Sequence, residues 1–96
     1  MARLRRTSEA RNDLSAIWLY IAQHNLPAAD RLMDEIDHAL KLVVQFPLMG
    51  EAVDHLSSGA RRIIVGNYQL FYEPTAEGIR LLRVYHAARR IEDLFS

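Results

Sequence analysis

Two apolar stripes with helical spacing, separated by a few residues, constrain the fold of this chain more than any other feature. The first stripe comprises Ala10, Leu14, Ile17, Trp18 and Ile21, and the second comprises Ala29, Leu32, Met33, Ile36, Leu40 and Val43. Spacings of three and four residues are typical of amphipathic helices. Asn25 is expected to stop the first helix in a left-handed conformation, and Pro27 to begin the second. Because the connection is so short, the sequence predicts an antiparallel helical hairpin.

The segments outside the hairpin have the pattern of β-strands. Strands are predicted over residues 2–6, 61–65, 68–73 and 79–86, with an irregular loop over residues 51–59. Gly66 and Asn67 form a good two-residue hairpin turn. In the last strand, alternation places Leu82 and Val84 on one face and Leu81, Arg83 and Tyr85 on the other. The order is therefore β-α-α-β-β-β, an α+β fold with a helical hairpin packed on a small, mainly antiparallel sheet.

Length and composition exclude several classes of protein. A chain of 96 residues has room for one domain, predicted over residues 1–96, and it contains no cysteine for disulfides, thiolate chemistry or cysteine-based metal sites. The four histidines lack metal-ligand spacing, and no phosphate-binding glycine loop is present, so neither a metal nor a cofactor is expected. No apolar stretch is long enough to span a membrane, and the basic N-terminus lacks the apolar region of a signal peptide. A cytoplasmic protein is expected.

The last third of the chain combines arginine with aromatic and histidine side chains. The residues concerned are Arg61, Arg62, Tyr68, Tyr72, Arg80, Arg83, Tyr85, His86, Arg89 and Arg90. A sheet surface of this composition suits RNA binding or cleavage, because arginine holds phosphates, aromatic rings stack on bases, and histidine moves protons. It suits a concave face for an acidic peptide equally well. The formal net charge of zero argues against a general nucleic-acid binder.

Short motifs along most of the chain resemble the ParE branch of the RelE/ParE toxin superfamily, the toxins of type II toxin–antitoxin modules. The matching residues in the helical half are Ser8-Glu9-Ala10, Asp13-Leu14, Ile17-Trp18, Tyr20-Ile21-Ala22, Ala28-Ala29, Phe46-Pro47 and Gly50. Those in the strands are Arg62, Val65-Gly66, Tyr68, Leu70-Phe71-Tyr72, Ile79 and Leu82-Arg83-Val84-Tyr85-His86-Ala87-Ala88-Arg89. The order and spacing of these pieces carry the resemblance.

The resemblance implies a toxin that a cognate antitoxin neutralises, usually a ribbon-helix-helix DNA-binding protein with a flexible tail. ParE-like toxins poison DNA gyrase, whereas RelE-like relatives are ribosome-dependent mRNA endoribonucleases. Gln69 stands where a catalytic arginine is usual in the ribonucleases, and Phe95 stands near the expected tyrosine. Phenylalanine cannot exchange a proton, so gyrase inhibition by binding is favoured, with no catalytic residue. A ribonuclease and an inactive toxin retained for its antitoxin complex are the alternatives.

The same resemblance suggests two binding surfaces. An acidic, amphipathic antitoxin tail is expected to bind beside the helical hairpin, at Tyr20, Arg61, Arg62 and Arg83. The surface that binds gyrase is expected on the last strand and the tail, at Arg83, His86, Arg89 and Arg90. Trp18 is expected in the core, with Tyr20 at the edge of the apolar stripe. The toxin is not expected to read a nucleic-acid sequence by itself, and it is expected to form a hetero-oligomer with its antitoxin.

Overall fold

Two helices pack against one face of a five-stranded sheet in the computed structural model, which describes residues 3–88. In chain order the elements are β1 (Arg3–Arg6), α1 (Ser8–Ala22), α2 (Leu26–Gln45), β2 (Glu51–Ala52), β3 (Arg61–Val65), β4 (Tyr68–Pro74) and β5 (Gly78–His86). The strand order is β1-β5-β4-β3-β2. Among the strand pairs within residues 3–88, only β1–β5 is parallel. The predicted α+β fold with a helical hairpin on a mainly antiparallel sheet is confirmed.

Side-chain caps determine where both helices begin. The Thr7 hydroxyl accepts a hydrogen bond from the Ala10 N–H at 3.0 Å, as expected for an N-cap. Asn25 does the same for α2, accepting from the Ala28 N–H at 3.1 Å. The prediction that Asn25 stops α1 in a left-handed conformation is wrong, because its φ is −160° and it serves the following helix. Pro27 accordingly lies within the first turn of α2, which begins one residue earlier.

A short edge strand, β2, lies inside the segment that was predicted to be an irregular loop. Its two residues pair antiparallel with β3, Glu51 opposite Arg62 and Ala52 opposite Arg61. A strand of two residues is too short to show an alternating pattern in a sequence. The Glu51 carboxylate accepts a hydrogen bond from the Arg62 guanidinium at 2.5 Å, which ties β2 to its neighbour.

The core is divided between the two faces of the sheet. The larger cluster lies under the helices and joins Ile36, Leu40 and Val43 of α2 to Leu70 and Tyr72 of β4. A smaller cluster lies on the opposite face, where Val53 and Ala60 pack against Phe71 and Tyr85. Trp18, which was predicted in the core, is only half-buried, because its indole N–H reaches Asp30 at 2.9 Å. That hydrogen bond holds the ring at the surface between the two helices.

A β-bulge changes which side chains of β5 face the helices. Phe71 pairs with Arg83 but Tyr72 pairs with Leu81, so Leu82 is the extra residue. As a result Leu81 and Val84 both join the core under the helices, whereas Leu82 packs on the opposite face. Simple alternation therefore assigned the faces of Leu81 and Leu82 wrongly.

The buried Tyr72 hydroxyl fixes the segment that follows α2. It donates to the Pro47 carbonyl at 2.8 Å and accepts from the Gly50 N–H at 2.9 Å. Gly50 is required there, because a Cβ atom at this position would lie 2.6 Å from the Tyr72 hydroxyl oxygen. The hydroxyl thus connects the middle of the sheet to the exit of the helical hairpin.

Replacing Tyr72 by phenylalanine is expected to lower the free energy of unfolding by about 1–3 kcal/mol, because the Gly50 N–H is left buried without an acceptor. Urea denaturation followed by circular dichroism measures the change. The matched control is Tyr20→Phe, which removes an exposed hydroxyl and is expected to change stability by less than about 0.5 kcal/mol. Equal losses in both variants would contradict this role for Tyr72.

Candidate interaction site

An aromatic cleft lies between α1 and the ends of the hairpin strands β4 and β5. Its volume is about 360 Å³, and it is lined by Asp13, Ala16, Ile17, Tyr20, Tyr68, Val84, Tyr85 and His86. The contributions from α1 recur at spacings of three and four residues, so they share one face of that helix. Tyr68 begins β4 and His86 ends β5, and the strand register places these two residues opposite one another. The fold thereby collects aromatic side chains from three elements.

Ring contacts order the mouth of the aromatic cleft. Tyr68 and His86 meet edge to face with ring centroids 5.4 Å apart, and Tyr20 and His24 do so at 5.8 Å. Tyr20 nevertheless has 67% of its surface exposed, so most of its ring is available to a partner. Burial, with a smaller contribution from the neighbouring Tyr20, raises the pKa of Tyr68 above its ordinary value of 10.0. Tyr68 is therefore a neutral hydrogen-bond donor at physiological pH.

His86 is exposed at the end of β5, and its imidazole is oriented by the backbone. Its Nδ1 atom accepts a hydrogen bond from the Ala88 N–H at 3.1 Å. In the neutral ring this arrangement leaves the proton on Nε2, which makes Nε2 a donor. The aromatic cleft thus presents an apolar wall with hydroxyl and imidazole donors at its rim, a combination suited to covering by another protein.

Arg83 is held beside the aromatic cleft by Asp13 of α1. Its Nε and Nη2 atoms donate to the two carboxylate oxygens of Asp13 at 2.8 and 3.1 Å. The same carboxylate accepts the Val84 N–H at 3.0 Å. The guanidinium carbon also lies 4.5 Å from the centre of the Tyr85 ring. The hydrogen bonds from Asp13 raise the pKa of Arg83, so Arg83 is a fixed and largely neutralised cation.

The other two arginines predicted to bind the antitoxin make internal contacts. Nη1 of Arg61 donates to the carbonyls of Leu48 and Gly50 at 3.0 and 2.7 Å. Arg62 donates to Glu51 and to the Gln69 side chain. As neighbours in one strand, Arg61 and Arg62 point to opposite faces of the sheet.

The structure therefore separates some predicted site residues and brings others together. Arg61 pairs with Tyr72, four positions along β4 from the Tyr68 that lines the aromatic cleft, a separation of about 13 Å. Tyr20 and His86, taken from different predicted sets, line the same cleft. Arg89, Arg90 and Phe95 lie outside the described residues.

Comparison with known proteins connects this geometry to a family. A model of the ParE toxin of the type II toxin-antitoxin system, parDE, matches residues 4–91. The chain belongs to the ParE toxin family. Toxin ParE1 of Mycobacterium tuberculosis is 36% identical over 59 residues, which is 60% of this chain and 60% of that relative's length. Toxin ParE1 of Caulobacter vibrioides is 28% identical over 83 residues, or 85% of each chain.

A solved structure supports the fold of this ParE-family chain. A chain from the chromosomal ParDE TA system of P. aeruginosa superposes with a TM-score of 0.74, covering 90% of this chain and 96% of that one. The two sequences are 21% identical, so this likeness concerns the fold. Within residues 3–88, no helix is long and apolar enough to cross a membrane, and no group of three potential metal ligands occurs.

Gln69 has a structural role in this ParE-family chain. Its side chain is buried, accepts from Arg62 at 3.2 Å and donates to the His86 carbonyl at 3.2 Å. It thus connects β3 to the backbone at the end of β5.

Asp13 was predicted only as one of the residues that match the family, although its position on the helix already indicated a role. Asp13 lies three residues after Ala10 and four before Ile17, so it occupies the apolar face of α1. A largely buried carboxylate on that face needs a charged or hydrogen-bonding partner, and Arg83 provides it. Tyr68 was noted as an aromatic of the strand, but the register that places it against His86 is not readable from spacing alone.

The raised pKa values of Tyr68 and the buried Tyr72 predict a loss of stability in alkaline solution. Above about pH 10 the unfolded chain gives up these protons more readily than the folded one, so the free energy of unfolding falls as pH rises. Urea denaturation at several pH values in this range should show that the free energy of unfolding falls less in Tyr68→Phe than in the unmodified chain. Tyr20→Phe should remove only part of the increase in the pKa of Tyr68, because the burial of Tyr68 is unchanged. Tyrosinate absorbance measures this pKa. An unchanged pH dependence in Tyr68→Phe would contradict this assignment.

Proposed function

We propose that this chain is a toxin that inhibits DNA gyrase by binding and that an antitoxin neutralises it at the same surface. The observation that carries the proposal is the aromatic cleft, in which exposed Tyr20 and His86 stand over an apolar wall. Aromatic side chains grouped in this way provide binding energy to a protein partner. Gyrase as the target follows from the resemblance to the ParE branch, and a toxin with this target acts in the cytoplasm.

The contacts around the aromatic cleft support binding rather than acid–base catalysis. Arg83 is neutralised by Asp13, and the raised pKa of Tyr68 keeps its hydroxyl protonated. The Nδ1 atom of His86 already accepts a backbone hydrogen bond, which leaves Nε2 as a donor in the neutral ring. These groups are well placed to recognise carbonyl or carboxylate oxygens of gyrase. Arg89 and Arg90 remain predicted contributors to the same surface.

The purified folded protein is expected to block plasmid supercoiling by gyrase and to cause cleaved plasmid to accumulate. His86→Ala should raise the inhibitory concentration by about tenfold, because a contact worth more than about 1 kcal/mol is lost at the rim of the cleft. His38→Ala, an exposed histidine on α2, is the matched control and should inhibit like the unmodified chain. Full supercoiling in excess folded protein would refute the proposal, and cleavage of ribosome-bound mRNA would then identify a ribonuclease.

Membership of a toxin–antitoxin family implies an antitoxin partner, for which we propose a ribbon-helix-helix protein with an acidic, amphipathic tail. Apolar side chains of the tail enter the aromatic cleft beside Tyr20, and its carboxylates lie towards the exposed part of Arg83. Because both predicted binding surfaces include Arg83, an antitoxin seated there covers the surface that gyrase needs. Contacts to Arg61 and Arg62 require these side chains to exchange their present carbonyl and carboxylate partners.

Tyr20→Ala is expected to weaken binding of the cognate antitoxin by about tenfold or more, because an exposed aromatic ring is lost from the interface. Isothermal titration calorimetry measures the dissociation constant. Leu19→Ala is the matched control, since Leu19 is comparably exposed but lies about 100° around the helix. The same loss of affinity in both variants would place the antitoxin elsewhere on α1.

A further inference from the structure

A second cleft, lined largely by arginine, lies where β1 leads into α1. Its volume is about 360 Å³, and its lining residues are Leu4, Arg5, Arg6, Thr7, Arg11 and Arg80. We infer that this arginine cleft binds the phosphodiester backbone of nucleic acid without reading its sequence. It is separate from the aromatic cleft, because Arg80 and His86 are six positions apart along β5, or about 20 Å. The inference therefore does not depend on gyrase as the target.

The strand register leaves an excess of positive charge at the arginine cleft. Arg5 of β1 is the register partner of Arg80 of β5, so the two side chains share one face of the sheet. Arg80 is paired on its other side with Glu73 of β4. Within residues 3–88, the Glu73 carboxylate pairs with Arg80 alone, and Arg5 has no ion-pair partner. Like charges side by side in a sheet are destabilising, and a bound anion relieves that repulsion.

Two arginines of the cleft retain their full hydrogen-bonding capacity. Within residues 3–88, the side chains of Arg5 and Arg11 make no hydrogen bond or ion pair. Arg6 uses its Nη2 atom to bind Asp37 at 3.1 Å, while its buried Nε–H donates to no acceptor in the described part of the chain. These guanidinium donors surround one concave surface, with Arg11 projecting from α1 and the others from β1 and β5.

The chemistry of the arginine cleft favours phosphate over an acidic peptide. Leu4 is the single apolar side chain among its described lining residues, and it packs against the core. A docked peptide depends on apolar anchors in pockets, whereas nucleic-acid interfaces are more polar and rich in positive charge. Arginine also binds phosphate oxygens with two parallel hydrogen bonds. The formal net charge of zero argues against nucleic-acid binding over the whole surface, but the positive groups of this cleft are concentrated locally.

The test measures binding of a fluorescein-labelled DNA duplex of arbitrary sequence by fluorescence anisotropy at several salt concentrations. The Arg5→Gln/Arg11→Gln double variant is expected to weaken binding by about tenfold or more. It should also reduce the slope of log affinity against log salt by about 1.8, because two phosphate contacts are lost. A second duplex of unrelated sequence should give the same results.

The matched control is Arg31→Gln/Lys41→Gln, which removes two positive charges from exposed positions of α2 outside the cleft. Circular dichroism should show that all the variants are as folded as the unmodified chain. The single variant Arg5→Gln should have a higher melting temperature at low salt, because its repulsion from Arg80 is removed. Equal loss of DNA affinity in both double variants would overturn the inference, because it would indicate attraction by overall charge. Arginine-dependent binding of a poly-glutamate peptide, with no binding of the duplex, would overturn it in favour of an acidic protein partner.

Discussion

A β-bulge interrupts the regular hydrogen bonding of β5 with β4. The side chains of Thr7 and of Asp13 in α1 supply hydrogen bonds to the backbone of β5 at that point. The Leu82 carbonyl accepts from the Thr7 hydroxyl at 2.8 Å, and the Val84 N–H donates to Asp13 at 3.0 Å. Hydrogen bonds to a charged group contribute about 1.5–3 kcal/mol each, so Asp13 is a strong anchor. These contacts fix α1 on the sheet and orient Arg83. The aromatic cleft depends on that placement, because its walls are α1 and the strand that carries the bulge.

Much of the fold was predictable because its signals are local. The helical stripes, the Thr7 cap and the turn at Gly66, whose φ is 58°, all follow from neighbouring residues. The predictions that were wrong concern residues whose side chain can serve two structural roles, or residues that pair with a part of the chain far away in sequence. Asn25 stabilises a helix start as readily as a helix end. The bulge at Leu82 depends on contacts with Thr7 and Asp13 about 70 residues earlier, which no periodicity reveals.

The candidate site was less predictable, because arginine looks alike in a sequence whether it is free or paired. Arg61, Arg62 and Arg83 were selected as binding residues, yet each has an internal acceptor. Arg5 and Arg11 were not selected, yet neither side chain has an internal acceptor among the described residues. The difference lies in strand register and helix packing, which decide whether a carboxylate or carbonyl lies within reach. Composition identifies arginine as abundant, but only tertiary structure shows which guanidinium groups are available.

The parallel pairing of β1 with β5 has a consequence for how this domain folds during synthesis. β1 is made early, but its partner along the sheet comes about 75 residues later, after both helices and the β3–β4 hairpin. Closing such a long loop is a slow step in folding. The strand that completes the sheet also carries His86 and the bulge that holds α1. A nascent chain therefore lacks the aromatic cleft until β5 has left the ribosome and paired with β1 and β4.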